Sequence, residues 1–287
     1  MSTKAYLKAA KQAIDAKKWD AAIEQANLVL EKDPKNYFAK LFLGRALDGV
    51  GKFEESAQAY EDATKIKPDD TQAFLGLRGL YQKQKGAKVD EYTHANLKLA
   101  ELFAAVDDAH KAQSSIDMLV DFARAHGTKQ QYINALKTQL PSSPIYSSLE
   151  GRLPNPSLTY NRIAEMLETE ETARIKRLIG ERKTRLGATS ESTTTDVKRE
   201  VYGGSELESI YESVIDWTTD DELRRQYEEK LLLRAYDTLL VLPEGKKTEK
   251  RDKVMKLAHD MVVIKHPFLL AWQIELEWTS GLDNLAY

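Results

Sequence analysis

The sequence of 287 residues predicts an all-α fold, a right-handed solenoid of repeated helix pairs whose repeats become degenerate after a proline-rich break. The main evidence is an interval of 34 residues at which an aromatic residue, a small residue and a proline recur together. The pairs are Trp19 with Phe53, Ala22 with Ser56, and Pro34 with Pro68. Because three residue types with different packing roles keep one register, the interval marks a structural repeat.

A period of 34 residues with two helices per unit is that of the tetratricopeptide repeat (TPR). Each repeated position has a physical role. Gly44 lets the paired helix approach closely, and Phe53 fills the space between the two helices. Pro68 cannot continue a helix and begins the next unit. The sequence therefore predicts two regular repeats, followed by a third that has a longer turn near Gly86 and a long second helix from Val89 to Val106.

The chain is predicted to contain three regions. Residues 1–139 form the TPR array, with two regular repeats and then irregular ones. Residues 140–158 hold four prolines, which favour extended or turning backbone, and form a connector that we expect to act as a hinge. Residues 159–287 form a degenerate helical-repeat region, with a flexible loop near 187–200 that lacks apolar anchors.

Helical spacing of apolar residues resumes after the connector. The predicted helices cover residues 160–186, 206–217, 220–240, 250–263 and 267–279. Three tryptophans, Trp217, Trp272 and Trp278, lie on these helices. Because large apolar side chains on helices usually pack inside, we expect them in the core.

Composition restricts the class of protein. Hydrophobic residues make up 42% and charged residues 30%, which suits a folded chain with a large wetted surface. A net charge of −3 argues against a general nucleic-acid binder. The absence of cysteine excludes disulfides and thiolate zinc sites. No stretch approaches the ~20 apolar residues of a membrane span, so the expected location is the cytoplasm, with a nuclear pool allowed.

No catalytic, cofactor or metal site is predicted. The sequence lacks a glycine-rich phosphate loop and the His-Glu-x-x-His zinc pattern. The five histidines are scattered, and the closest pair, His259 and His266, is followed at once by Pro267. Histidine makes a site only where partners converge. We therefore expect the protein not to be an enzyme and to act by binding.

The usual ligand surface of a helical array is its concave groove. Residues on the first helices of the second and third repeats are predicted to face it: Phe38, Leu41, Arg45, Asp48, Gln72, Leu75 and Gln82. Such a groove can bind an extended or helical peptide through apolar anchors. Leu41 and its counterpart Leu7 could equally pack between repeats. Lys11, Arg45 and Gly79 stand where chaperone-binding members carry a Lys/Asn/Arg clamp, so capture of a chaperone tail is not expected.

One basic segment offers an alternative site. Its cations are Arg174, Arg177, Arg182, Lys183 and Arg185, with Lys176 between them. They are interleaved with apolar Ile175 and Leu178, which indicates a helix with one buried stripe and one wet face. A solvated face is the simpler interpretation, but clustered lysine and arginine are also the usual footprint of RNA binding.

Segments outside the repeat pattern carry a more specific resemblance. They are 80–83 (Leu-Tyr-Gln-Lys), 88–92 (Lys-Val-Asp-Glu-Tyr), 140–146 (Leu-Pro-Ser-Ser-Pro-Ile-Tyr), 149–154 (Leu-Glu-Gly-Arg-Leu-Pro) and 267–272 (Pro-Phe-Leu-Leu-Ala-Trp). With these segments the chain, from about residue 1 to 280, resembles the N-terminal arm of the TPR scaffold subunit of the superkiller complex, in its fungal type.

The resemblance implies a role in messenger RNA decay. The family's scaffold joins an RNA helicase to WD-repeat subunits, and the complex feeds cytoplasmic messenger RNA into the exosome for 3′-to-5′ degradation. Contacts to the exosome-bridging adaptor are associated with the N-terminal arm, and RNA is contacted at most indirectly or weakly. The alternative is a generic TPR adaptor for peptide or chaperone binding, with no link to RNA.

Overall fold

The computed structural model describes residues 2–185, 205–242 and 247–280, and over these residues the secondary structure is helical. The α-helices are α1 (Thr3–Asp15), α2 (Trp19–Leu30), α3 (Tyr37–Gly49), α4 (Phe53–Ile66), α5 (Thr71–Gln84), α6 (Val89–Ala105), α7 (Ala109–His126), α8 (Lys129–Lys137), α9 (Pro156–Arg185), α10 (Ser205–Trp217), α11 (Asp221–Val241), α12 (Lys247–Val263) and α13 (Leu269–Thr279). Short 3-10 helices cover Lys85–Lys88 and Tyr146–Leu149. The chain divides into two compact units, Met1–Leu153 and Pro154–Tyr287.

Polar side chains fix where several helices begin. The Asn36 side chain accepts a hydrogen bond from the Ala39 amide at 3.1 Å at the start of α3. Asp70 accepts one from the Gln72 amide at 2.9 Å at the start of α5. Thr128 forms a reciprocal capping box with Gln131 before α8. Each cap satisfies an amide that the helix itself leaves unpaired, so these residues set the boundaries that the repeat requires.

Helix pairs in the first unit pack through small residues, as the repeat predicts. The buried hydroxyl of Ser56 on α4 donates to the Gly44 carbonyl on α3 at 2.7 Å. A Cβ at Gly44 would lie 2.9 Å from the Tyr60 ring, and one at Gly76 on α5 would lie 2.4 Å from the same ring. Tyr60 therefore fills a space that exists only because both neighbouring helices carry glycine.

Trp19 has the same function at the preceding junction. Its indole lies against Gly49 so closely that a Cβ there would be 2.4 Å from the ring. The indole packs on a small cluster formed by Ile14, Ala22 and Ala46. Trp19 thus joins one helix pair to the next, whereas its counterpart Phe53, predicted to fill the space between two helices, is 37% exposed. The all-helical structure confirms the TPR fold class.

The third repeat is irregular where the sequence indicates. A 3-10 turn over Lys85–Lys88 separates α5 from α6, and α6 runs for 17 residues to Ala105. Tyr92 on α6 stacks on Phe122 of α7 with ring centroids 3.9 Å apart. The left-handed backbone of Asp107, at φ 60°, forms the turn into α7.

The proline-rich segment has more internal order than its composition predicts. Leu140, Ile145 and Leu149 are buried. Its amides bond to nearby carbonyls in successive turns, for example Ser143 to Leu140 at 2.8 Å and Arg152 to Leu149 at 3.0 Å. The division between the two units falls after Leu153, inside the predicted connector. Hinge motion there stays a prediction.

The second unit is built from α9 to α13. An apolar cluster in this unit joins α11, α12 and α13, through residues such as Leu232, Met255 and Ile274. The expectation that the tryptophans lie in the core is wrong: Trp217, Trp272 and Trp278 are 43%, 44% and 56% exposed. The Trp272 indole nitrogen donates a hydrogen bond to the His266 carbonyl at 2.7 Å, so the polar edge of the indole ring has a partner while the ring lies at the surface. The loop predicted near 187–200 lies outside the described residues.

Candidate protein-docking groove

The first helices of the three N-terminal repeats, α1, α3 and α5, form one layer. They pack on one another more extensively than the second helices α2 and α4 do, so the first helices lie on the inner side of the array. We call the following predicted residues on α3 and α5 the groove face: Phe38, Leu41, Arg45, Asp48, Gln72, Leu75 and Gln82. The 34-residue period places Leu7 and Lys11 of α1 at the positions of Leu41 and Arg45.

Phe38 is the most prominent apolar residue of the groove face. Its side chain is 48% exposed. The Lys67 ammonium lies 5.1 Å from the centre of its ring, and 4.8 Å from the ring of Tyr37. An exposed aromatic ring on a rigid helix contributes large contact area at a low cost in conformational entropy. Phe38 therefore has the properties of an anchor for a bound peptide.

The two leucines of the groove face are half-buried. Leu41 packs against a core cluster of Tyr37, Ala63 and Ala73. Of the two roles open for Leu41, packing between helices is therefore the one that the structure supports. Leu75 is also half-buried. Leu41 and Leu75 therefore form a half-buried apolar surface beside Phe38, and neither leucine is as exposed as the Phe38 ring.

Asp48 is joined to a residue that sequence reasoning missed. The Lys83 ammonium lies 2.7 Å from each carboxylate oxygen of Asp48, and this contact links α3 to α5. Lys83 follows Asp48 by one period plus one residue, so the two lie at neighbouring positions on adjacent first helices. That spacing is the feature of the sequence from which the ion pair could have been predicted. Burial raises the pKa of Tyr60 beneath this pair, the Asp48 charge raises it further and the Arg45 charge opposes the shift.

The remaining groove-face residues present polar groups to solvent. Arg45, Gln72 and Gln82 are exposed, as is Lys11 on α1. At Gly79, on α5, an added Cβ would meet nothing within 4 Å, so the floor is open at this point. The surface therefore combines one aromatic anchor, a leucine floor, two exposed cations and a neutral polar side.

The predicted basic segment lies on α9. Arg174 is half-buried, and Lys176 and Arg177 are exposed. The side chains of Arg182, Lys183 and Arg185 lie outside the described residues. Burial raises the pKa of Asp237 on α11 above the ordinary aspartate value, and the positive charges of Arg234 and Lys176 oppose this shift. Contact with RNA through this helix stays a prediction.

A buried charged cluster in the second unit also escaped the sequence analysis. The Lys250 ammonium lies 2.6 Å from both carboxylate oxygens of Glu208, and Lys253 lies 3.1 Å from Glu208 and 2.7 Å from Glu212. The Glu208 side chain is only 6% exposed. Thr238 on α11 approaches the same carboxylate at 3.5 Å. These contacts connect α10, α11 and α12, so the cluster joins three helices of the second unit.

Neither a metal site nor a membrane span is found in the part of the chain that the structure describes. No group of three or more His, Asp or Glu residues there could hold a metal ion. None of the helices described is long and apolar enough to cross a membrane.

Comparison with known proteins supports the repeat interpretation. Models of the tetratricopeptide repeat match residues 13–81 and residues 141–228. Superkiller protein 3 of Schizosaccharomyces pombe is 34% identical over 279 residues, which is 96% of this chain and 20% of that protein. The chain belongs to the tetratricopeptide-repeat proteins and is similar to fungal superkiller protein 3.

Superkiller protein 3 of Saccharomyces cerevisiae is 27% identical over 98% of this chain and 21% of its own length. The chain thus spans about a fifth of the length of these two relatives. Among solved structures, the TPR domain of P58(IPK) matches at 14% identity with a TM-score of 0.31, covering 96% of this chain and 87% of that chain. That overlap is too low to support an argument on how the helices are arranged.

Proposed function

We propose that this chain is a protein-docking arm of a cytoplasmic superkiller-type complex, which couples an RNA helicase to the exosome for 3′-to-5′ decay of messenger RNA. The observation that carries the proposal is the similarity to fungal superkiller protein 3 over 96% of the chain. A similarity of that extent includes the proline-rich segment at residues 140–158 as well as the repeats on either side of it.

The groove face is the surface that we assign to docking. It presents the half-exposed ring of Phe38 beside the half-buried Leu41 and Leu75. A rigid aromatic ring next to a leucine floor suits an apolar side chain of a bound segment, and the surrounding polar groups suit its backbone. The proposed partners are the exosome-bridging adaptor first, and the RNA helicase and WD-repeat subunits of the same complex.

The proposed mode of action is binding without catalysis. RNA is expected to be contacted weakly or indirectly, because the chain carries a net charge of −3. A generic TPR adaptor with no link to RNA is the alternative. It is favoured by the presence of ordinary repeat features at residues 13–81, which many unrelated TPR proteins share.

Direct titration of the chain with the purified exosome-bridging adaptor tests the proposal. Single-stranded RNA serves as a parallel titrant at two salt concentrations. Saturable adaptor binding, with RNA binding that is weaker and strongly salt-dependent, is the expected result. An adaptor titration without saturation would contradict the proposal. Saturable binding of a chaperone tail in its place would favour the generic adaptor.

A further inference from the structure

One serine in the proline-rich segment stands in a sequence context that occurs once in the chain. Of the eight prolines in the sequence, only Pro144 directly follows a serine or threonine, and that residue is Ser143. A proline directly after the acceptor serine is the feature by which proline-directed protein kinases select their substrates. Because the residue before a proline is biased towards extended backbone, Ser143 is biased towards the conformation in which a kinase holds its substrate chain.

Two successive turns of the backbone meet at Ser143. The Ser143 amide donates a hydrogen bond to the Leu140 carbonyl at 2.8 Å, and the Tyr146 amide donates one to the Ser143 carbonyl at 3.1 Å. Pro141 and Pro144 stand at the second position of these turns, where the fixed φ of proline is favoured. Because both hydrogen bonds join residues only three apart, a kinase can open the chain around Ser143 without unfolding an α-helix.

The two turns are anchored by apolar residues, while the Ser-Pro pair lies at the surface. Leu140, three residues before Ser143, and Ile145, two residues after it, are both buried. Pro144 is exposed, as is the neighbouring Ser142, and Ser143 is half-buried. The anchors therefore hold the segment against the first unit with the proline ring open to a kinase.

The stretch of chain around Ser143 carries no charge. Residues 138–149 contain no aspartate, glutamate, lysine, arginine or histidine, and Lys137 and Glu150 flank this neutral stretch. A phosphate on serine adds a charge of about −1.5 to −2 at neutral pH. Phosphorylation therefore gives a neutral stretch a strong negative charge, which changes the ligands that its surface attracts.

We infer that Ser143 is a phosphorylation site for a proline-directed protein kinase. In this reaction the Ser143 hydroxyl oxygen forms a bond to the γ-phosphorus of ATP, the bond from that phosphorus to the β-phosphate oxygen breaks, and ADP leaves. The hydroxyl proton passes to the catalytic base of the kinase. The inference goes beyond the docking function and does not depend on it, because the phosphate is detected directly and without a binding partner.

Incubation of the full chain with ATP and each of two proline-directed kinases, a cyclin-dependent kinase and a mitogen-activated protein kinase, tests the inference. Mass spectrometry locates the phosphate, which is expected on Ser143 with at least one of the two kinases. A synthetic peptide of residues 138–150 reports recognition of the same sequence without its folded surroundings. Modification of the peptide while the chain stays unmodified would overturn the inference, as would the absence of phosphate from both.

Two substitutions show whether the Ser-Pro pair is what the kinase selects. Pro144→Ala keeps the Ser143 hydroxyl but removes the proline ring, so the rate of phosphorylation at Ser143 is expected to fall by about tenfold or more. Ser142→Ala, at an exposed serine that no proline follows, is the matched control and should leave that rate unchanged. Circular dichroism checks that both variants keep the helical content of the parent. Equal rates in the two variants would contradict selection through Ser143 and Pro144.

Discussion

The ammonium of Lys250 lies 2.6 Å from both carboxylate oxygens of Glu208, whose side chain is only 6% exposed. Lys253 adds a second cation at 3.1 Å. A buried carboxylate held by two cations connects α10 to α12 by hydrogen-bonded charge. Removing Glu208 leaves the Lys250 ammonium, whose side chain is 16% exposed, without this carboxylate, whereas Lys253 keeps its contact with Glu212.

Glu208→Ala is therefore expected to lower the free energy of unfolding by about 3 kcal/mol. Glu212→Ala removes a carboxylate that is 46% exposed and pairs with Lys253, so a loss of about 1 kcal/mol or less is expected. Urea denaturation followed by far-ultraviolet circular dichroism measures both. Equal losses of unfolding free energy in the two variants would show that the buried carboxylate of Glu208 stabilises the fold no more than the exposed carboxylate of Glu212.

The same cluster predicts a pH dependence. Burial alone would raise the pKa of Glu208, but the hydrogen bonds and charges of Lys250 and Lys253 outweigh it and hold the pKa below the ordinary glutamate value. A carboxyl whose pKa is lowered on folding contributes stability above its unfolded pKa of about 4.3, and the contribution is lost as the pH falls through the folded value.

The free energy of unfolding is thus expected to fall as the pH is lowered below about 4.3, and Glu208→Gln should fall less steeply over that interval. Urea titrations at several acidic pH values provide the comparison. Parallel slopes for the two proteins would mean that Glu208 does not carry the effect.

Two glycines on α5 give a matched pair of substitutions. A Cβ at Gly76 would lie 2.4 Å from the buried Tyr60 ring, whereas at Gly79 it would meet nothing within 4 Å. Gly76→Ala is expected to destabilise by about 1–3 kcal/mol through overpacking. Gly79→Ala is expected to stabilise by about 0.5–1 kcal/mol, because alanine costs less backbone entropy in a helix. Thermal unfolding reports both signs, and a shift of the same sign in both would contradict the packing described for Tyr60.

Within residues 140–158, the exposed part of the segment is where we expect the predicted hinge to lie. Leu140, Ile145 and Leu149 are buried, whereas Glu150, Gly151, Arg152, Pro154 and Asn155 are exposed. We expect amide hydrogen exchange to be slower at Ser143 and Arg152, whose amides bond to the Leu140 and Leu149 carbonyls, and fast at the exposed Gly151 and Asn155. Protection at Gly151 and Asn155 would argue against a hinge.

The repeat architecture was predictable because its signal is periodic. Trp19 and Gly44 stand at positions that the 34-residue interval specifies, and each lies at a close contact between helices. Tyr60, which one period pairs with Ala26, was not predicted to fill the space between Gly44 and Gly76. The groove face follows from the same register, since any residue on a first helix has its counterpart one period later.

Other features were not predictable, because they depend on contacts without a periodic signal. Glu208 meets Lys250 at a separation of 42 residues, which matches no repeat interval and no motif. Trp272 is 44% exposed and its indole nitrogen donates to the His266 carbonyl, an arrangement that hydrophobicity alone does not indicate. The buried turns around Ile145 likewise depend on packing, while proline content indicates only that helices end there.

The most direct test of the docking claim is calorimetric titration of the chain with the exosome-bridging adaptor, comparing Phe38→Ala with Val106→Ala. Val106 is 73% exposed at the end of α6 and serves as an apolar control away from the groove face. We predict that Phe38→Ala weakens adaptor binding by about tenfold or more, while Val106→Ala leaves it unchanged. Adaptor binding that is equally tight in both variants would contradict the assignment of docking to this groove.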